Sequence, residues 1–267
     1  MRVSAAERTM NYAVLIIFSL IAIAPIVSIV TTALSPQTGA APGIHLENLA
    51  EAWSVGGFGR SLGNSIVVAV IVVTSALVLS VLSGYAFGTM RFRGSTVLFL
   101  LFMLGLMIPS EAIVIPLFFD LRALGLTDTY AAIALPQIAQ SVAFGTFWLR
   151  AQFRTVSTSL LEAAALDGAG PLRTLLRIVV PSSVPAVVTL VVLMFMWTWN
   201  EFLIALVMAP GGRLRTAPLG LATFQGQYTA ELALLSAGAV IVALPMVIVF
   251  LLLQRHVIRG MLEGAVK

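Results

Sequence analysis

Long apolar stretches alternate with short polar connections along this chain. Six stretches are long enough to cross a bilayer, which takes about 20 helical residues for roughly 30 Å of hydrocarbon. Backbone groups in lipid must pair within a helix or a closed barrel, and these stretches are too uniformly apolar for barrel strands. The pattern predicts an all-α membrane protein with six transmembrane helices, at residues 12–34, 62–89, 96–118, 130–149, 183–208 and 232–253.

The polar connections predict the orientation. If the N-terminus is cytoplasmic, eleven of the 15 basic residues lie on the inner side and four on the outer side. Basic residues of membrane proteins collect in cytoplasmic loops, so we expect both termini in the cytoplasm. The inner set is Arg2, Arg8, Arg91, Arg93, Arg150, Arg154, Arg173, Arg177, Arg255, Arg259 and Lys267, and the outer set is Arg60, Arg122, Arg213 and Arg215.

The first apolar stretch has two interpretations. Arg2 and Arg8 precede it, as basic residues precede the apolar core of a secretory signal peptide. Its length is closer to that of a membrane span, which favours a retained first helix. The net charge of +4 follows from the basic inner loops, so it does not indicate nucleic-acid binding.

Composition supports the membrane class and excludes several kinds of site. The chain is 60% hydrophobic and 10% charged, whereas soluble domains carry about 25% charged residues. It has no cysteine, and His45 and His256 lie in connections on opposite sides, so we expect no metal site. The only lysine is Lys267, so a phosphate-binding Walker A loop is excluded. We therefore expect a single domain over residues 1–267, with no catalytic residue and no cofactor of its own.

The outer segment at residues 35–61 is rich in turn-forming residues. Its proline and glycine content predicts an irregular surface loop. These residues are Pro36, Gly39, Pro42, Gly43, Gly56, Gly57 and Gly59.

A helical hairpin is predicted at residues 159–181, between spans four and five. Ser159 stands three residues before Glu162, the spacing of a capping box that begins a helix. Gly168 suits the left-handed position that ends one, and Pro171 suits the first turn of the next.

The second hairpin helix carries a predicted apolar stripe, opposite Arg173 and Arg177. Four residues at helical spacing form it, and we expect them on one exposed face. They are Leu172, Leu175, Leu176 and Val179. The hairpin could lie on the membrane surface, or it could insert into a groove of a soluble partner.

The hairpin sequence resembles the EAA signature of ABC-importer permeases. Glu162-Ala163-Ala164 is followed after three residues by Gly168, and after nine more by Ile178, Val179, Val180 and Pro181. Val180 stands where the family usually has leucine. In that family the loop forms coupling helices seated in a cleft of the ATPase subunit. The resemblance therefore implies coupling residues Glu162, Ala163, Ala164, Asp167, Gly168, Leu172, Ile178 and Pro181. Glu162 could instead cap its own helix.

Further motifs resemble the carbohydrate branch of these permeases, in particular the smaller subunit of maltose-type transporters. They are Ile108-Pro109-Ser110-Glu111, Ile115-Pro116-Leu117, the segment from Gly125 to Tyr130, Trp199-Asn200-Glu201-Phe202 and the final Gly264-Ala265-Val266-Lys267. The resemblance implies a multi-pass cell-membrane subunit that forms half of the path for an oligosaccharide or disaccharide.

The implied partners are a second permease subunit, a dimer of ATP-binding subunits that holds ATP and Mg²⁺, and an extracytoplasmic sugar-binding protein. The lipid bilayer surrounds the complex, and nucleic acid has no part in it. Alternatives are an importer for glycerol phosphate, polyamine or peptide, an ion-coupled secondary transporter, and a scaffold. The tail at residues 255–267 could reach the ATPase dimer or rest at the lipid headgroups.

Five residues are candidates for the solute path. Acids at membrane depth usually face a cavity or a partner, and indole faces and amides suit sugars. The candidates are Glu111, Trp197, Trp199, Asn200 and Glu201. The acids could instead lie at the outer interface, and the tryptophans could belong to an aromatic belt.

Small residues recur every fourth position in span two, at Ser80, Gly84 and Gly88. Such a row permits close approach of helices. We assign it to packing, with the second permease subunit as one candidate partner.

Overall fold

The computed structural model describes residues 5–37, 41–226 and 231–265, with side chains for residues 7–37, 41–226 and 231–255. Regular structure in these ranges is helical. The helices are α1 Ala5–Ala33, α2 Glu47–Val55, α3 Phe58–Thr89, α4 Ser95–Met107, α5 Ser110–Ala123, α6 Tyr130–Phe153, α7 Thr158–Leu166, α8 Pro171–Thr174, α9 Val180–Ser182, α10 Val184–Asn200, α11 Leu203–Met208, α12 Ala217–Gly220 and α13 Leu232–Ala265. A π-helical turn, Leu175–Val179, joins α8 to α9, and a 3₁₀ turn, Leu221–Phe224, follows α12.

Several of these helices are long and apolar enough for a membrane protein. Among the described residues, four helices are long and apolar enough to span a bilayer, and there are up to six spans if each of two bent pairs counts as one. The bent pairs are Ser95–Met107 with Ser110–Ala123, at 97°, and Pro171–Ser182 with Val184–Asn200, at 84°. The all-helical prediction is thus confirmed, while the six individual spans remain a prediction.

The helices group into two compact units, of which unit 1 comprises Met1–Gly59 and Gly220–Leu244. Its outer segment is more regular than predicted, because α2 occupies residues between the glycine-rich ends of the loop. Asn48 of α2 is buried, and its Nδ2 donates to the carbonyls of Ala33 (3.0 Å) and Ser35 (2.8 Å). The prediction of an irregular loop is wrong for this stretch, since strong helix formers and this anchor stabilise a helix. Gly39 lies outside the described residues.

Unit 2 comprises Arg60–Leu219 and Pro245–Lys267. The row of small residues on α3 packs against α6 of the same chain. A Cβ on Gly84 would lie 2.8 Å from Leu149 Cβ, and one on Gly88 would lie 3.3 Å from Phe153 Cβ. A Cβ on Gly145 of α6 would in turn collide with Ser80 Oγ. The row therefore serves packing, as predicted, and its partner within this chain is α6.

A hydrogen-bonded network in unit 2 connects the start of α3 to the segment between α11 and α12. Asn64 Nδ2 donates to the carbonyls of Arg213 (3.3 Å) and Arg215 (2.9 Å), and Tyr130 Oη donates to Asn64 Oδ1 at 2.8 Å. The N–H of Ala217 donates to Ser65 Oγ at 2.8 Å. Side chains of α3 and α6 thereby fix the segment between α11 and α12.

Asp128 also holds the segment between α11 and α12 in place. It has a left-handed backbone with φ of 58°, and its Oδ1 accepts from the N–H of Gly211 at 2.8 Å. A Cβ on Gly211 would lie 2.7 Å from that oxygen, so only glycine allows this approach.

Candidate functional site

Two interrupted helices frame a polar cavity in unit 2. α4 and α5 meet at 97° where Ile108 and Pro109 adopt extended backbone. The cause is local, because a proline disfavours helical backbone in the residue before it. A second proline, Pro116, lies inside α5 without ending it. α10 ends at Asn200, where Glu201 turns extended before α11 begins.

The cavity has a volume of about 560 Å³ and opens between these two breaks and the middle of α6. It brings Glu111 together with Trp197, Asn200 and Glu201, which lie 86 to 90 positions later in the sequence. The remaining lining residues are Gly105, Leu106, Ile108, Pro109, Ser110, Gln137, Gln140, Ser141, Phe144, Leu193, Met196 and Thr198. Discontinuous helices around a polar cavity are a common way to build a transporter site.

The two tryptophans of α10 differ in role. Trp197 is 49% exposed and lies edge-on against Phe144 of α6, with ring centroids 4.8 Å apart. Trp199 is only 2% exposed, stacks on Phe195 and does not line the cavity. The structure therefore places Trp199 in the protein core and Trp197 at the cavity, because residues two apart on a helix face different directions.

One face of α6 supplies cavity residues that the sequence reading missed. Gln137, Gln140, Ser141 and Phe144 all line the cavity. Their spacing of three, one and three residues places them on a single helical face. Three polar side chains on one face of an otherwise apolar span were a signal that could have identified them.

Hydrogen bonds inside the protein occupy several polar groups of the cavity. Asn200 Nδ2 donates to the Met196 carbonyl at 2.8 Å, and Gln137 Nε2 donates to the Ile133 carbonyl at 2.9 Å. Glu201 Oε1 accepts from the N–H of Ile204 at 2.8 Å, at the start of α11. The amide oxygens and the second carboxylate oxygen remain as acceptors, which suits a ligand rich in hydroxyl donors.

The hairpin after α6 is the second candidate site. α7 ends in a Schellman motif, in which the N–H of Gly168 donates to the Ala165 carbonyl (3.0 Å) and that of Ala169 to the Ala164 carbonyl (2.9 Å). Gly168 has φ of 72°, the left-handed conformation that its position predicts, and Pro171 opens α8.

The capping box predicted for α7 is absent. α7 begins at Thr158, and Ser157 at its N-cap makes no side-chain capping bond. Ser159 lies inside the helix, where its Oγ is 2.5 Å from Ser157 Oγ. Because the helix starts two residues earlier than the pattern requires, Glu162 lies mid-helix and exposed, away from the capping position.

Half of the predicted apolar stripe on the second hairpin helix is buried, and the other half is exposed. Leu175 and Val179 are 1% and 0% exposed and pack in a core with Leu149 of α6 and Leu190 of α10. Only the other half of the stripe faces outward. The prediction of one exposed face is thus wrong, because the membrane helices themselves bury one edge of it.

The remaining coupling candidates differ in exposure. Ala164 is 5% exposed, so it packs within its own chain. Ile178 is half-buried. The exposed candidates are Glu162, Ala163, Asp167, Gly168, Leu172 and Pro181. The tail is helical through Ala265, and its side chains after Arg255 lie outside the described residues, as does Lys267.

Comparison with known proteins assigns the chain to a family. The profile of the family described as "binding-protein-dependent transport system inner membrane component" matches residues 76–263. The trehalose transport system permease protein SugB of Mycobacterium tuberculosis is 34% identical over 212 residues, which are 79% of this chain and 77% of that protein. The sn-glycerol-3-phosphate transport system permease protein UgpE of Pectobacterium atrosepticum is 32% identical over 232 residues, covering 84% and 82%.

A solved structure shares the fold. The crystal structure of a bacterial ABC transporter involved in import of the acidic polysaccharide alginate contains a chain with a TM-score of 0.72 and 16% identity, covering 94% of this chain and 95% of that one. The family match covers most of the sequence, and the helices described above adopt the arrangement of an ABC-importer permease. This chain therefore belongs to the family of inner-membrane components of binding-protein-dependent transport systems.

Proposed function

We propose that this chain is a permease subunit of an ATP-driven importer and forms half of the transmembrane path for a disaccharide or oligosaccharide. An extracytoplasmic binding protein delivers the sugar, and a second permease subunit completes the path. The family assignment and the sugar named by the 34% identical relative support this proposal. The observation that carries it is the cavity between two interrupted helices, whose wall combines apolar and aromatic surface with several polar side chains.

The cavity has the size and chemistry that a sugar requires. Its volume of about 560 Å³ lies within the range of roughly 300–1,000 Å³ typical of small-molecule pockets. Trp197, which is 49% exposed and braced by Phe144, offers an aromatic surface to the C–H groups of a sugar ring. Glu111, Asn200 and Glu201 offer oxygen acceptors to its hydroxyl groups. Trp199 has no part in this contact.

The hairpin at residues 159–181 is proposed to couple the path to ATP hydrolysis on separate subunits. With six spans and both termini cytoplasmic, it projects into the cytoplasm, where its exposed residues enter a groove of the ATPase dimer. Leu166, Leu172 and Leu176 are 90%, 61% and 57% exposed, and an apolar protrusion of this kind is suited to burial against a partner. Glu162, Ala163, Asp167 and Gly168 form the tip, while Ala164, Ile178 and Pro181 shape and support it.

Matched tryptophan variants test the solute path. The complete importer is reconstituted in vesicles with its binding protein, and ATP-dependent uptake of labelled trehalose and maltose is measured. Trp197→Ala should raise the half-saturating concentration about five- to tenfold, since an aromatic contact contributes about 1–1.5 kcal/mol. Trp53→Ala is the control, because Trp53 is 48% exposed but lies on α2. Uptake that proceeds equally without ATP, or equal effects of both variants, would contradict the proposal.

A further inference from the structure

The cavity carries negative charge without a compensating cation. Glu111 and Glu201 both line it, and no lining residue among the described part of the chain is Lys, Arg or His. Within that same part, Glu111 has neither a hydrogen bond nor an ion pair to neutralise its carboxylate. Two carboxylates that share a partly enclosed space repel any anion that enters it.

The hydrogen-bond donors on the cavity wall are all uncharged groups. The amide nitrogens of Gln137 and Asn200 already donate to backbone carbonyls of their own helices. Glu201 is held as an acceptor by the N–H of Ile204. A phosphate or carboxylate would find neutral donors such as Gln140 and Trp197 but no cation among the described lining residues to offset the repulsion, whereas a hydroxyl group also brings a donor for the carboxylates.

We propose that this cavity is an anion-rejecting filter for uncharged, polyhydroxylated solutes, and that Glu111 is its discriminating residue. The identity of the solute as a sugar rests on the proposed function, but the charge selectivity does not. Phosphorylated sugars, sugar acids and glycerol phosphate are rejected for the same reason, repulsion by carboxylates that no cation on the described wall offsets. Sugars without ionised groups satisfy the acceptors on the wall and meet no opposing charge.

A single engineered cysteine measures this selectivity directly, because the chain has no cysteine of its own. Gln140→Cys places a thiol on the cavity wall, and the intact importer is treated with two probes of similar size. These probes are the cationic trimethylammonioethyl and the anionic sulfonatoethyl methanethiosulfonate. Mass spectrometry of this chain gives both modification rates, and free cysteine gives the reference ratio.

The cationic probe should react faster than the anionic one by about tenfold or more over the reference ratio, and Glu111→Gln should remove most of this preference. Glu111→Asp keeps the charge and should retain the preference. Asp120→Asn is the matched control, because Asp120 is an exposed acid on the same helix that does not line the cavity. Thermal unfolding of each variant establishes that it is folded.

A ratio equal to that of free cysteine, or one that Glu111→Gln leaves unchanged, would overturn the filter. The outcome is independent of ATP and of the natural solute. If the probe ratios are as expected but no ATP-dependent sugar uptake occurs, the proposed function fails and the filter stands. If sugar uptake depends on ATP but the ratios equal the reference, only the filter fails.

Discussion

Gly84 sets the separation of α3 and α6 by having no side chain. A Cβ at this position would lie 2.8 Å from Leu149 Cβ and 3.2 Å from the backbone nitrogen of Arg150. Neither neighbour is the free end of a flexible side chain, so the two helices would have to separate. Nearby, Ser83 Oγ and Thr146 Oγ1 form a hydrogen bond of 2.6 Å that depends on the same close approach.

We expect Gly84→Ala to destabilise the protein by about 1–3 kcal/mol, the usual cost of overpacking a tight contact. Gly63→Ala is the matched control on α3, since a Cβ there has no atom within 4 Å and alanine favours a helix by up to about 1 kcal/mol. The midpoint of thermal unfolding in detergent should fall for the first variant and stay level or rise for the second. Equal midpoints would show that the contact is not tight.

His45 joins the start of α2 to the preceding loop through both of its ring nitrogens. Nε2 lies 2.8 Å from the Ala41 carbonyl, and Nδ1 lies 2.6 Å from Glu47 Oε1. The Ala41 carbonyl and the Glu47 side chain raise the pKa of His45 above 6.5. The backbone N–H of Glu47 and the imidazole of His45 lower the pKa of Glu47 below 4.5.

These pKa shifts predict that the loop before α2 is most stable in mildly acidic solution. The His45 contribution is complete below pH 6.5 and is lost as the pH rises through the raised pKa of the folded state. The Glu47 contribution is present above pH 4.5 and is lost as the pH falls through its lowered pKa. Amide hydrogen exchange of residues 41–47, corrected for intrinsic rates, should show the strongest protection between these values. An unchanged pH profile in His45→Gln would refute this explanation.

At the scale of elements, the hairpin shows which features are set locally and which by packing. Its bend follows from local chemistry, because Gly168 has positive φ and Pro171 opens the next helix. The burial of Leu175 and Val179 depends instead on where α6 and α10 lie. An apolar stripe in the sequence therefore indicated a contact surface without showing that half of it is internal.

The exposed half of the hairpin gives a prediction for partner binding. Leu166→Asp should weaken binding of the ATPase subunits by about 30-fold, since loss of a central apolar contact costs about 2 kcal/mol. Leu166 is 90% exposed, so the fold itself should tolerate the change. Leu124→Asp is the control, because Leu124 is 71% exposed in the connection that follows α5. Binding of purified ATPase to both variants in lipid nanodiscs is the measurement, and equal affinities would exclude the hairpin from the interface.

At the scale of the whole molecule, much of the architecture follows from the lengths of the apolar stretches in the sequence. The apolar stretches, the break at Pro109 and the bend at Gly168 could be predicted because each depends on a few neighbouring residues. The helix α2 was missed because the flanking glycines and prolines concealed a short run of helix formers.

The cavity could be predicted only in part. Glu111, Asn200 and Glu201 were selected because polar groups are costly in an apolar span. Gln137 and Gln140 were overlooked, since uncharged amides stand out less and their shared face appears only when α6 is viewed as a helix. That these residues meet in one space follows from two helix breaks, and no short stretch of sequence contains both.

The network at the start of α3 also constrains the order in which the chain can mature. Asn64 and Ser65 leave the ribosome long before their backbone partners, which lie 151 and 152 positions later at Arg215 and Ala217. Contacts so distant in sequence form slowly, because a long loop must first close. A nascent or truncated chain that ends before Arg215 therefore leaves Asn64 Nδ2 and Ser65 Oγ without these backbone partners.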